Sequence, residues 1–160
     1  MEVQIRKRGD DPERFWQKVS KSESCWEWNA FRDRAGYGRF EVHGSPRLAH
    51  RVSFEREFGP IPDGLEVDHL CHNPPCVRPD HLRLATRSGN SQNMSGARID
   101  SRSGVRGVRQ RESGRWQAEA HINKKRVSIG LFDSKEQAHE AVSAWRQRNM
   151  PYSLMDQRKD

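Results

Sequence analysis

Three cysteines and one histidine constrain this chain more than any other feature. Cys71, Cys76 and His81 follow one another at intervals of five within residues 68–81, a stretch that also holds Asn73, Pro74, Pro75 and Pro79. A turn rich in Pro and Asn can fold these three side chains toward one point. Structural zinc takes four soft or borderline ligands in a tetrahedron, and the remaining cysteine, Cys25, completes a Cys3His set. His72 and His43 are the alternatives for the fourth ligand. An odd cysteine count argues against a disulfide framework, so metal ligation is the expectation. A site tying residue 25 to residue 81 also supplies folding free energy to a chain of 160 residues of which only 32% are apolar.

That length suits one ordinary domain or two very small ones and excludes a large multidomain enzyme. No run approaches the roughly 18 consecutive apolar residues of a membrane span. The start, Met1-Glu2-Val3-Gln4-Ile5-Arg6, lacks the apolar stretch of a signal peptide. The expectation is a soluble, intracellular protein with no membrane partner.

Charge is distributed unevenly. Residues 1–93 hold 15 basic and 14 acidic side chains, whereas residues 94–160 hold 14 and 8, so almost all of the net +7 lies in the carboxy-terminal part. Between Arg98 and Arg126 nine basic residues face only Asp100, Glu112 and Glu119. Such a density predicts a polyanion partner, and nucleic acid fits it better than a membrane because no basic amphipathic helix accompanies it. Residues 94–102 are small, polar and basic and read as a linker, with Arg98 and Arg102 placed to meet phosphates. Near the amino terminus, residues 11–19 read as a short helix with Asp10 or Asp11 as cap, Pro12 in the first turn, and Phe15, Trp16 and Val19 toward the core.

A second chemical group adjoins the cysteine turn. Asp68 and His69 end a stretch, residues 65–70, that reads as a strand, and Asn90 and Asn93 follow in residues 88–93. Carboxylate and amide oxygens suit magnesium or a similar hard divalent ion, and an imidazole beside them can deprotonate a water. This is a sufficient kit for hydrolysing a phosphodiester with one metal ion, His69 being the base.

The block from Cys25 to Asn93 resembles the HNH and His-Cys box homing endonucleases of the His-Me finger, or ββα-metal, group. The resemblance is carried by Cys25-Trp26-Glu27-Trp28, Gly36-Tyr37-Gly38-Arg39, His50-Arg51, Gly59-Pro60-Ile61-Pro62, Val67-Asp68-His69-Leu70-Cys71, and His81-Leu82 followed by Asn90. It implies His69 as general base, Asp68 and Asn90 as ligands of a catalytic magnesium or similar ion, and Cys25, Cys71, Cys76 and His81 as a structural zinc site. Asp68 matches the HNH members rather than the His-Cys box enzymes. A basic residue holding the scissile phosphate is also implied, Arg39 or Arg51.

Residues 103–150 follow a different logic. Trp116, Ala118, Ala120 and Ile122 alternate with Arg115, Gln117, Glu119 and His121, as in a half-buried strand. After the turn at Asn123-Lys124-Lys125, Val127, Ile129 and Leu131 are expected inward on a second strand. Ser134 and Gln137 form a capping box opening an amphipathic helix, with Ala138, Ala141, Val142 and Trp145 on one face and Trp145 against the sheet. This segment resembles the DNA-binding domain of plant ethylene-response (APETALA-type) factors, through Arg106-Gly107-Val108-Arg109-Gln110-Arg111, Gly114-Arg115-Trp116-Gln117-Ala118-Glu119, Arg126-Val127 and residues 130–138. The resemblance implies DNA contacts by Arg106, Arg109, Arg111, Glu119 and Arg126. Ser113, His121 and Ser128 depart from that family's contact residues, so its target sequence does not transfer.

Together these readings predict an α+β protein: a zinc-stabilised ββα-metal nuclease domain over residues 1–93, the basic linker 94–102, a three-stranded antiparallel sheet packed on one helix over 103–150, and a tail, 151–160. The expected activity is metal-dependent, homing-type cleavage of double-stranded DNA by a monomer or homodimer, encoded by a phage or mobile element and acting inside a cell. The runner-up is a zinc-stabilised DNA-binding regulator without catalysis.

Overall fold

The computed structural model of the chain describes residues 12–94, 96–98 and 100–153. The expected helix cap at Asp10 or Asp11 and the tail from residue 154 lie outside the described residues. The chain divides into two compact units, Met1–Leu84 and Ala85–Asp160. That division falls nine residues before the linker expected from composition.

The first unit is built from short elements: α1 (Pro12–Trp16), β1 (Val19–Lys21), β2 (Trp26–Trp28), β3 (Arg39–Val42), β4 (Ser45–Leu48), α2 (Ala49–Phe58), β5 (Leu65–His69), a one-turn 3-10 helix (Pro79–His81) and β6 (Leu82–Thr86), whose last residues cross into the second unit. The strands form three antiparallel or paired two-stranded ribbons, β1 with β2, β3 with β4 and β5 with β6. Isolated ribbons of this length are marginal in water, so tertiary packing has to hold them. An aromatic cluster does this: Phe15 is fully buried with its ring centroid 5.1 Å from those of both Trp28 and Phe40. Ala49, Val52 and Val77 complete the cluster, and Trp16 and Val19 pack on it. Val19 therefore faces the core as expected, but from strand β1, because α1 ends at Trp16. Gly38 lies against the face of the Trp28 indole, where a Cβ would approach ring carbons to 2.6 Å. No larger residue fits there without moving the tryptophan.

The second unit contains α3 (Arg87–Gln92), β7 (Val108–Gln110), β8 (Trp116–Ile122), β9 (Lys125–Phe132) and α4 (Lys135–Asn149). The sheet order is β7-β8-β9, antiparallel throughout. Its inner face joins Val108 and Ala118 to Ala138 and Val142 of α4, with Val105, Trp116, Ile129 and Phe132 packed around them. Ser134 and Gln137 form the expected capping box, hydroxyl to amide and side-chain oxygen to amide.

Two expectations in this unit are corrected. A bulge in β9 shifts the pairing, so that Glu119 opposes Ser128 while Ala118 opposes Gly130. The extra residue reverses the alternation beyond it. Leu131 consequently pairs with Gln117 on the outer face and is 40% exposed, and Phe132 takes the inward place opposite Trp116. On α4 the inward row is Ala138, Val142 and Arg146, at steps of four, and Trp145 lies outside the core cluster. Arg146 occupies that position because its guanidinium donates to the Arg106 carbonyl at 2.9 Å. Gly107, at φ +76°, sits where a Cβ would meet the Glu119 carbonyl at 2.4 Å. Among the described residues no helix is long and apolar enough to cross a membrane.

Candidate functional site

Four ligand atoms converge in the first unit. The Sγ atoms of Cys25, Cys71 and Cys76 and a ring nitrogen of His81 all lie within 4.8 Å of one another. Local structure explains the convergence. Glu27 of β2 bridges to Cys76, and the Trp28 amide donates to Pro75 O at 2.9 Å and the Val77 amide to Trp26 O at 2.8 Å, so the residue before β2, Cys25, is brought to Cys76. The Leu70 amide donates to His81 O at 2.8 Å, which brings Cys71 beside His81. Arg78 steadies the approach to Cys25 by donating to the carbonyls of Glu23 and Ser24.

The distances test the donor set. His81 Nδ1 is 3.6 Å from Cys25 Sγ and 3.6 Å from Cys76 Sγ. A tetrahedral zinc with Zn–S of about 2.3 Å and Zn–N of about 2.05 Å requires an S···N edge of about 3.55 Å. The residues present therefore fit zinc. The hydrogen bond between the Cys71 and Cys76 thiols holds Cys71 below the ordinary thiol range and pushes Cys76 above it. His72 and His43, the alternatives for the fourth ligand, are not in the cluster; both adopt positive φ, 54° and 49°.

The same turn positions His69. Its Nε2 lies 2.9 Å from the Cys76 carbonyl oxygen. A carbonyl only accepts, so Nε2 carries the hydrogen and the basic lone pair is on Nδ1. Cys76 thus gives its sulfur to the ligand cluster and its carbonyl to His69. Burial holds the His69 imidazole below its ordinary pKa, against the Cys76 hydrogen bond and the Asp68 charge, which raise it. It is neutral near pH 7, the form a general base needs.

Three neighbours of this pair were not singled out for these roles by the sequence. The His50 ring, on α2, lies 4.6 Å from that of His69, and Tyr37 lies 5.3 Å from His50 and 5.9 Å from His69. His50 is only 4% exposed, its Nδ1 has no hydrogen-bond partner among the described residues, and burial followed by the neighbouring His69 pushes its pKa down to about 3. Arg83 of β6 holds Asp68: its Nε and terminal nitrogen lie 3.0 and 2.9 Å from Asp68 Oδ2. Asp68 is 6% exposed, so a cation using Oδ2 has to compete with a guanidinium. The only sequence signal for these three was their presence in or beside the quoted motifs; pairing of β5 with β6 brings Arg83 to Asp68. Arg39 is exposed at the start of β3 and pairs with Asp33 at 3.0 Å. Arg51 is half-buried on α2. Asn90 is half-buried on α3, in the second unit, and Asn93 caps the end of that helix.

On the outer face of the second unit's sheet, the Glu119 carboxylate lies 3.5 Å from Arg109 and 3.9 Å from Arg126. The glutamate is largely covered while the two arginines are 46% and 61% exposed, so it orients them without hiding them. Arg98, Arg102 and Arg111 are exposed. Arg106 differs: it is half-buried and donates to Gln92 O at 3.1 Å and Ser153 Oγ at 3.2 Å, which ties the unit internally. A cleft of about 670 Å³ in this unit is lined by Arg98, Arg109, Lys124 and His121 among others.

Comparison with known proteins adds matches to part of the chain. Residues 47–92 match the family model of the HNH endonucleases, a stretch that spans α2, β5, β6, α3 and three of the four cluster ligands. The chain is 42% identical over 72 residues to Protein 7.7 of Escherichia phage T7, covering 45% of this chain and 55% of that protein. It is 34% identical over 73 residues to Protein 2.8 of the same phage, covering 46% and 50%. The chain thus spans about half the length of the curated relatives it matches. No solved structure matches it.

Proposed function

We propose that the protein is a metal-dependent endonuclease of the homing type, acting on double-stranded DNA with His69 as general base. The observation that carries this reading is the His69 geometry: a neutral imidazole whose Nε2–H is fixed by the Cys76 carbonyl, inside the stretch that matches the HNH endonucleases. The order β5, β6, α3 supports a ββα-metal arrangement, with the Cys3His cluster as its zinc-bound brace.

In this mechanism the His69 Nδ1 takes a proton from the attacking water while the Cys76 carbonyl holds the ring in that tautomer. Tyr37 and His50 pack around the imidazole and limit its rotation. Arg39 or Arg51 holds the scissile phosphate, Arg39 after exchanging its pairing with Asp33. Asp68 and Asn90 would hold magnesium or a similar hard divalent ion, which would supply charge neutralisation at the phosphate and leaving oxygen. Residues 103–150, read as an APETALA-type module on its sheet-and-helix pattern, supply recognition through Arg109, Arg111, Glu119 and Arg126, with Arg98 and Arg102 of the linker on phosphates. Arg106 has a bracing role in that module. As the relatives are phage proteins, the site of action is the interior of the host cell.

The test is His69→Ala in the full chain. Plasmid nicking in magnesium falls at least a hundredfold while DNA affinity, read by gel shift, stays within a few fold. Unchanged nicking removes His69 from its role, and a wild-type protein that binds DNA but never cuts it supports the non-catalytic regulator instead.

A further inference from the structure

Among the described residues, Phe31 is the most exposed large apolar side chain, at 74%, ahead of Phe58 at 56%. Isolated exposed apolar residues are ordinary, so exposure alone assigns Phe31 no role. The backbone of Phe31 is fixed. Its carbonyl accepts from the Trp28 indole Nε1 at 3.1 Å and from the Arg39 amide at 2.9 Å. Next along the chain, Arg32 bridges to Gly38 and its Nε donates to the Trp28 carbonyl at 2.8 Å. The bend is closed by Asp33, whose Oδ1 accepts from the amides of Ala35 and Tyr37, both at 3.0 Å. The loop therefore holds an apolar ring out in solvent at a set position.

Two features identify the partner. The loop is rimmed with arginine: Arg34 is exposed with no ion-pair partner among the described residues, and Arg39, opposite Phe31, is exposed as well. The inner arm of the same loop carries Tyr37, whose ring lies against His50 and His69. His69 itself is only 7% exposed. A base so recessed reaches a phosphodiester more readily on a duplex whose backbone has been pulled out of its regular path than on a smooth helix. An apolar wedge between base pairs, flanked by arginines on phosphates, produces such a distortion by unstacking one step and kinking the duplex.

We propose that Phe31 is a wedge that enters the base stack of duplex DNA beside the cleaved strand, with Arg34 on the adjacent phosphate. This rests on the nuclease reading above. A protein partner is the competing occupant, disfavoured by the arginine rim and by the loop's connection to the site.

The unwinding arm of the experiment uses plasmid and requires no knowledge of the target sequence, and the bulged duplex of the nicking arm is designed from the nicking site mapped on that plasmid. Full-length His69→Ala protein, bound to relaxed plasmid and treated with topoisomerase I, is expected to change the linking number, because wedge insertion unwinds the duplex. Adding Phe31→Ala reduces the change per bound protein several-fold, with plasmid binding by gel shift retained, while Phe31→Leu keeps it. In the otherwise wild-type chain, Phe31→Ala slows nicking of an intact duplex about tenfold and recovers to within a few fold on a duplex carrying a one-nucleotide bulge, where the step is already open. Circular dichroism identical to the parent ensures that folding is not the cause. Unaltered unwinding and nicking by Phe31→Ala overturn the wedge and leave Phe31 to a protein partner. Wild-type nicking with no unwinding by the His69→Ala protein overturns the wedge alone. A wild-type chain that neither binds nor nicks plasmid overturns the nuclease reading and the wedge with it.

Discussion

The two units are held together by different means. In the first, no strand exceeds five residues, and the fold depends on an aromatic cluster and on four ligand side chains drawn from residues 25 to 81. In the second, β8 and β9 run for seven and eight residues and pair on both sides of one bulge, and a fifteen-residue helix with a capping box packs on their inner face. Long strands and a capped helix are specified locally. Short ribbons are specified by what they pack against. The candidate imidazole lies where ligand side chains and rings from distant positions converge, and the exposed arginine face lies on the unit built from the longer strands.

The largest expected effect separates the units by metal. Cys76→Ser, or a zinc chelator, should unfold the first unit, because structural zinc in small domains contributes on the order of 10 kcal/mol and the same residue holds His69. Hydrogen exchange resolved by segment should show residues 12–84 losing protection while residues 108–149 keep most of theirs. Elemental analysis should find one zinc per chain. Equal loss in both halves breaks the comparison.

Next come the arginines of the second unit. Arg109→Ala or Arg126→Ala should weaken DNA binding by about 1–3 kcal/mol where the side chain reads a base edge, with relaxed specificity, or should lower all affinities and the salt slope together where it contacts a phosphate. Titrations at several salt concentrations distinguish these. The stability of the first unit should be unchanged by either.

Acid should act on the first unit through His50. Its pKa is about 3 in the folded chain against an ordinary 6.5, so between those values the unfolded chain binds more protons and stability falls as pH falls. From pH 7 to pH 5 the loss is about 2 kcal/mol. Denaturant titrations at the two pH values should show it, and His50→Phe should flatten the slope; a slope unchanged by that substitution assigns it to other groups. The smallest effect belongs to the helix cap: Ser134→Ala should cost about 1 kcal/mol, confined to the second unit.

Several features were legible in the sequence because the residue type itself carries the chemistry. Three cysteines and a histidine at regular spacing name a ligand set before any fold is known, and the four do converge. Alternation named β8, and Ser134 with Gln137 named the start of α4. What failed was phase. Period two holds along a strand only while every residue is paired, and the bulge in β9 exchanged the faces of Leu131 and Phe132. On α4, a hydrogen bond to a distant carbonyl made Arg146 an inward residue, which a hydrophobicity pattern cannot anticipate.

The sequence by itself therefore determined which chemistries this protein holds: a Cys3His cluster, an Asp-His pair ending a strand, and a basic face on an alternating sheet. Tertiary structure alone decided how the pair is used. It set the Cys76 carbonyl on His69 Nε2 and Arg83 on Asp68, and it stacked Tyr37 and His50 about the imidazole. The reason is physical. Ligand identity and side-chain period are properties of residues and their near neighbours, whereas a tautomer, a buried ion pair or a ring contact is set by groups many residues apart, and those distances exist only once the chain has folded.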